Sequence, residues 1–88
     1  NRHEIDGYYH GKILFYRKDD GYGFVAPGNV EQLPTAVQAR VRMNKSGLYF
    51  RTTDLSSQFT PVRGQCVTFQ VYTDKCGAGA YNLCLEWW

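Results

Sequence analysis

The chain has 88 residues, which is room for a single domain with one small core. Its net charge of +2 is only mildly basic, so charge alone would not give tight binding to nucleic acid. No apolar run approaches the roughly 20 residues of a transmembrane helix, and residues 1–4 do not resemble a signal peptide. The sequence therefore predicts an intracellular, cytoplasmic domain.

Two strands joined by a tight turn are predicted near the start of the chain. Residues 1–10 are polar, which indicates a lead-in to a barrel that spans residues 11–86. Residues 11–17 are rich in β-branched and aromatic side chains, as strands are. The Asp-Gly pair at 20–21 favours a tight hairpin, and residues 22–26 form the returning strand.

The segment 28–47 is read as an insertion and admits two interpretations. From residue 37 to residue 43 apolar and polar side chains alternate, and this period of two favours an extra strand. Leu33, Val37 and Val41 are also spaced four residues apart, which leaves a short helix after Pro34 as the alternative. Of the two, we favour the strand.

Three further strands complete the predicted fold. They cover residues 48–52, residues 65–72, where apolar and polar side chains alternate cleanly, and residues 80–86. Five strands with short turns in so few residues predict a small all-β, antiparallel barrel, because closure removes exposed strand edges.

The strongest local signal is the glycine-aromatic segment around Gly23. Side chains alternate along a strand, so Tyr22 and Phe24 share one face with only the glycine between them. Nucleic-acid bases stack on such rings for about 1–3 kcal/mol each. Tyr49 and Arg51 share the outward face of the next strand, where a guanidinium can stack on a base or pair with a phosphate. The alternative is that the rings are core residues and Arg51 is a solvated charge.

Taken in order, these segments resemble the cold-shock domain family. Residues 11–17 resemble its first strand, and residues 18–25 and 48–52 resemble its two aromatic motifs. Residues 63–69 resemble the Gly-Gln start of its fourth strand, and residues 77–83 resemble the close of its fifth. The resemblance covers about residues 11–85. It implies a five-stranded OB-type barrel that binds single-stranded RNA or DNA, and we expect RNA.

The resemblance also implies a set of binding residues. The positions expected to stack bases are Phe15, Tyr22, Phe24, Tyr49 and, on a long loop, Phe59. Arg51 stands where the family usually has histidine, and Arg17 and Lys18 are expected to hold the nucleic-acid backbone.

Two of these assignments have alternatives. Phe15 alternates with Ile13, which should be a core residue, so Phe15 faces outward only if a β-bulge intervenes. Otherwise Phe15 is buried and Tyr16 faces out. Phe59 fits packing within its loop as well as it fits contact with a base.

The chain also departs from the family pattern. Leu14 and Asp20 replace basic residues, Thr52 replaces an aromatic residue, and the insertion is long. The insertion carries Arg40, Arg42 and Lys45, which could restore the lost positive charge.

Other classes of function have weaker signals. Cys66, Cys76 and Cys84 have no paired spacing, which favours reduced thiols over a zinc site. The two histidines lie in the lead-in, away from any cysteine, so we expect no enzyme activity, no metal and no cofactor. The alternative function is a protein-interaction module of a larger RNA-processing or regulatory assembly, with partner contacts at 28–47 or at Trp87 and Trp88.

Overall fold

The computed structural model describes residues 2–43, 47–56, 59–75 and 77–86. The strands are β1 His3–Arg17, β2 Tyr22–Pro27, β3 Leu48–Arg51, β4 Cys66–Asp74 and β5 Gly77–Leu85. They close into a barrel in the order β1-β2-β3-β5-β4, with β4 pairing back to β1. The helix α1 spans Thr35–Met43, and short 3-10 turns span Val30–Gln32 and Thr52–Asp54. The predicted small barrel of five strands is confirmed.

One pair of neighbouring strands runs parallel. β3 and β5 meet in parallel at Tyr49 and Gly79, whereas the other four neighbouring pairs are antiparallel. The prediction of a wholly antiparallel barrel is therefore wrong. A closed ring with an odd number of strands cannot alternate direction throughout, so one parallel pair is unavoidable.

The first strand begins well before the predicted boundary. β1 starts at His3 and pairs with β4 along residues that we expected to form a lead-in. The half-buried side chains of Ile5 and Tyr9 pack against the core. Gly7, with φ of 106°, lies where the register with β4 shifts between these two residues. The polar character of this segment reflects its exposed outer face.

The insertion forms a helix rather than the favoured strand. Leu33, Val37 and Val41 are at most 3% exposed and belong to the core cluster, whereas Met43 is 71% exposed. The helix α1 packs against β4 and β5. The buried apolar residues therefore follow the four-residue spacing of a helix and not the two-residue spacing of a strand, because α1 buries one face and leaves the other in solvent. In the described part of the chain, no helix is long and apolar enough to cross a membrane.

The helix and the favoured strand predict different effects on stability for substitutions at residues 37 and 43. Val37→Ala should lower the free energy of unfolding by about 2 kcal/mol, because it opens space in the core. Met43→Ala should change it by less than about 0.5 kcal/mol, because Met43 lies in solvent. Denaturant unfolding of both variants checks this. Equal losses would instead place residues 37 and 43 on the same buried face of a strand.

Candidate nucleic-acid interface

Four predicted binding residues meet on one outer face of the barrel. In the strand register Phe15 of β1 lies opposite Phe24 of β2, and Phe24 lies opposite Tyr49 of β3. Tyr22 lies opposite Arg51 and two residues from Phe24. We call the rings of Phe15, Tyr22, Phe24 and Tyr49 the aromatic platform.

A β-bulge places Phe15 on this face. Ile13 pairs with Val25 and Phe15 pairs with Phe24, so Leu14 is an extra residue without a counterpart on β2. Ile13 is 1% exposed while Phe15 is 38% exposed. The bulge on which the outward position of Phe15 depended is therefore present.

The platform consists of two ring pairs set at a steep angle. Phe15 and Phe24 have centroids 5.3 Å apart and an interplanar angle of 34°. Tyr22 and Tyr49 are 5.7 Å apart with an angle of 28°. Contacts between the two pairs are edge-on, at 74° to 83°. All four rings therefore touch, and they form two facets.

Gly23 lies where β1 and the buried ring of Phe50 come close to β2. A Cβ atom at Gly23 would lie 2.5 Å from the carbonyl oxygen of Phe15 and 2.8 Å from the ring of Phe50. Phe50 is fully buried, and Tyr16 stacks on it with centroids 6.0 Å apart. The missing side chain lets β1 and β2 approach closely, as glycine does where two backbones meet.

Cationic side chains flank the rings. The guanidinium carbon of Arg17 lies 5.8 Å from the centroid of Phe15, and that of Arg51 lies 6.0 Å from the centroid of Tyr49. Arg17, Lys18 and Arg51 are all exposed. The platform is thus a neutral aromatic surface with positive charge on two sides.

Phe59 lies apart from the platform. It is half-buried, packs against the core, and borders an open groove of about 720 Å³. The groove is also lined by Tyr16, Lys18, Thr52, Leu55, Ser56 and Thr60. Among the described residues Phe59 has no ring contact with the platform, so it is brought beside Lys18 but not beside the four rings.

Two of the three cations predicted in the insertion, Arg40 and Arg42, lie in the described part of the chain. Arg42 donates a hydrogen bond to Gln38 across 3.4 Å, and the guanidinium of Arg40 lies against the backbone of Gly77. Lys45 lies outside the described residues, as do Trp87 and Trp88.

Sequence reasoning missed Arg2, which supports the end of β3. Its guanidinium lies 3.9 Å from the centroid of Tyr72 and donates a hydrogen bond to Asp54 across 3.0 Å. The carboxylate of Asp54 is buried and also accepts the backbone N–H of Arg51 across 2.9 Å. Arg51, the platform cation on β3, is therefore held at its backbone. Neither the polar context of Arg2 nor the spacing to Asp54 signals this contact.

Burial also affects the titration of this cluster. Burial raises the pKa of Tyr72 above its usual value, although the hydrogen bond from Arg2 opposes the shift. Burial lowers the pKa of Arg2, but the hydrogen bond and charge of Asp54 raise it more. Arg2 is therefore a permanent cation and Tyr72 is neutral across the physiological range.

The remaining titratable groups suggest no metal site in the part of the chain that the structure describes. There, no group of three or more His, Cys, Asp or Glu side chains is placed to hold a metal ion. Cys66 and Cys84 are free thiols, and Cys76 lies outside the described residues. In comparisons with known proteins, no family model and no curated protein matches this chain.

Proposed function

We propose that this chain binds single-stranded nucleic acid, RNA in particular, as a cold-shock-type OB barrel. The observation that carries the proposal is the aromatic platform, whose four rings touch on the outer face of three adjacent strands. Phe15 is 38% exposed, and Tyr22, Phe24 and Tyr49 are half-buried. A cluster of partly exposed rings on a small barrel commonly marks a binding surface. The flanking cations Arg17 and Arg51 fit a ligand that is flat and anionic.

Binding would combine stacking with charge. Unpaired bases would lie on the rings of the platform, and Arg17, Lys18 and Arg51 would contact phosphates. Duplex bases hide their faces, so single strands would be preferred. Stacking tolerates every base, so sequence preference would be modest. The groove beside Lys18 and Phe59 would continue the path for the strand. The proposal assigns no catalysis and no cofactor to the chain.

Oligonucleotide titration tests this function. Fluorescein-labelled ten-nucleotide oligouridine should bind the full chain with Kd below about 100 μM in low salt, and binding should weaken as salt increases. Oligothymidine should bind as a comparison for sugar preference, and a ten-base-pair duplex should bind more weakly. Absence of saturable binding at about 100 μM in low salt, where even non-specific binding is expected, would overturn the proposal.

The second candidate is a protein-interaction module within a larger RNA-processing or regulatory assembly. It is favoured by the outer face of α1, where Met43 is 71% exposed beside a shallow cavity of about 400 Å³ next to Arg40 and Lys75. Failure of the oligonucleotide titration with a folded chain would favour this candidate.

A further inference from the structure

The first half of β1 has one unused edge. β1 pairs with β4 from His3 to Lys12, but its pairing with β2 begins only at Gly11. The N–H of Gly28 donates to the carbonyl of His10 across 2.8 Å, at the point where β2 ends. Among the described residues, no other backbone group bonds to this side of residues 8–10. We call residues 8–10 on this side the open edge.

The directions of the backbone N–H and C=O groups, which alternate along β1, identify the groups that are unpaired at the open edge. The N–H and C=O of one strand residue point to the same side, and successive residues alternate. Because the carbonyl of His10 points toward β2, the N–H of His10 points there too. We infer the same direction for both polar groups of Tyr8, which follows the irregular position Gly7. Tyr9 faces the other way, opposite Phe69 of β4. Two donors and one acceptor are therefore available in a row.

The side chains at the open edge leave it uncovered. The Tyr8 hydroxyl accepts a hydrogen bond from Asn82 of β5 across 3.3 Å, and the imidazole of His10 bonds to the carboxylate of Glu86. β4 lies between β1 and β5, so both side chains lean across β4 and away from the open edge. A second strand could approach without displacing either of them.

We propose that the open edge binds an extended basic peptide as an additional strand. The charged side chains on and around this half of β1 are the carboxylates of Glu4, Asp6 and Glu86 and the cations Arg2 and Lys12, an excess of one negative charge in a chain whose net charge is +2. This charge opposes pairing with a second copy of the same edge and favours a segment with lysine or arginine. Backbone hydrogen bonds would supply affinity, as in other cases of strand addition.

A cavity beside the open edge adds a side-chain preference. It measures about 320 Å³, and its walls include Ala26, Pro27, Gly28 and His10. Lys12 and Glu86 also line it, so its charged groups are of both signs. Its mostly apolar wall fits a small side chain such as valine. The expected partner therefore alternates basic residues with small apolar ones.

This surface is distinct from the aromatic platform. His10 precedes Phe15 by five residues on β1, which is about 16 Å along a strand. Peptide and oligonucleotide could bind the chain together, so peptide binding at the open edge and nucleic-acid binding at the platform can be tested independently.

The test is a titration of the full chain, labelled with ¹⁵N, with a nine-residue peptide that alternates lysine and valine. The peptide is acetylated and amidated so that its termini carry no charge. We expect amide shifts to concentrate at residues 8–10 and at Gly28. Hydrogen exchange at the amides of Tyr8 and His10 should slow when the peptide is bound, whereas the amide of Tyr9, already paired with β4, should change little.

Two controls separate strand addition from simple charge attraction. Tyr8→Pro removes the N–H at the open edge, and Tyr8→Ala removes the same ring but keeps that donor. Peptide binding should be about fivefold weaker in Tyr8→Pro than in Tyr8→Ala, the effect of one lost hydrogen bond. A glutamate–valine peptide should bind more weakly than the lysine–valine peptide.

Three results would overturn the proposal. They are no binding at about 1 mM peptide, equal binding by the two Tyr8 variants, and amide shifts confined to the platform. If Tyr8→Pro does not fold, hydrogen exchange of the His10 amide in the native chain decides the question. Oligouridine binding measured in parallel shows whether the nucleic-acid proposal fails or holds independently.

Discussion

Replacing Phe24 with alanine should weaken oligouridine binding by about 5-fold to 150-fold, which corresponds to the loss of one stacked base. Phe24 has the largest expected effect because its ring contacts those of Phe15, Tyr22 and Tyr49. Its loss removes one stacking surface and also the support for the other three rings. Fluorescence anisotropy titration of the variant in low salt measures the change.

A matched control keeps this result specific. Tyr8 is 61% exposed and lies outside the platform, so Tyr8→Ala should leave oligouridine affinity within about twofold. The free energy of unfolding of both variants shows whether a loss of binding follows from a loss of folded chain. Equal affinities for Phe24→Ala and native protein would remove the platform from the binding site.

Removing the carboxylate of Asp54 should lower the free energy of unfolding by about 3 kcal/mol, a large part of the roughly 5–15 kcal/mol that small domains have. Asp54→Ala leaves the backbone N–H of Arg51 and the guanidinium of Arg2 without their shared acceptor. Arg2 retains about a third of its exposure and can be hydrated, which limits the loss. Urea denaturation measures it.

Variants of the neighbouring charges test the assignment. Arg2→Ala should cost about 2 kcal/mol, because it leaves a buried carboxylate without its cation. The double variant should cost less than the sum of the two single variants, since both remove the same contact. Glu4, which lies 3.8 Å from Arg2 at the surface, serves as the control, and Glu4→Gln should cost less than about 0.5 kcal/mol. Strict additivity for Arg2 and Asp54 would show that the pair contributes nothing.

The sequence predicts the platform well because it is built from local patterns. Tyr22 and Phe24 alternate about a glycine on one strand, and β3, although it follows the long segment 28–47, pairs with β2 and brings Tyr49 beside them. Phe15 required a bulge, which the conflict with Ile13 made visible in advance. These features depend on neighbours in sequence or on adjacent strands.

Features set by distant contacts were harder to predict. The helix α1 and the favoured strand share the same apolar residues, and only contact with β4 and β5 decides between them. Arg2 meets Asp54 across 52 residues, and no pattern in either segment encodes that distance. The parallel pair of β3 and β5 could have been deduced, because five strands cannot alternate in direction around a closed ring.

The steep angle between the two ring pairs constrains the shape of any oligonucleotide that covers both. Bases lying on the Phe15–Phe24 facet and on the Tyr22–Tyr49 facet would differ in tilt by the 74° to 83° that separates the rings. Nucleotides on either side of that corner could not remain stacked on each other. The sugar-phosphate chain would have to bend there. A strand whose bases stack strongly in solution would lose stacking energy on binding, whereas a flexible strand with little stacking would not.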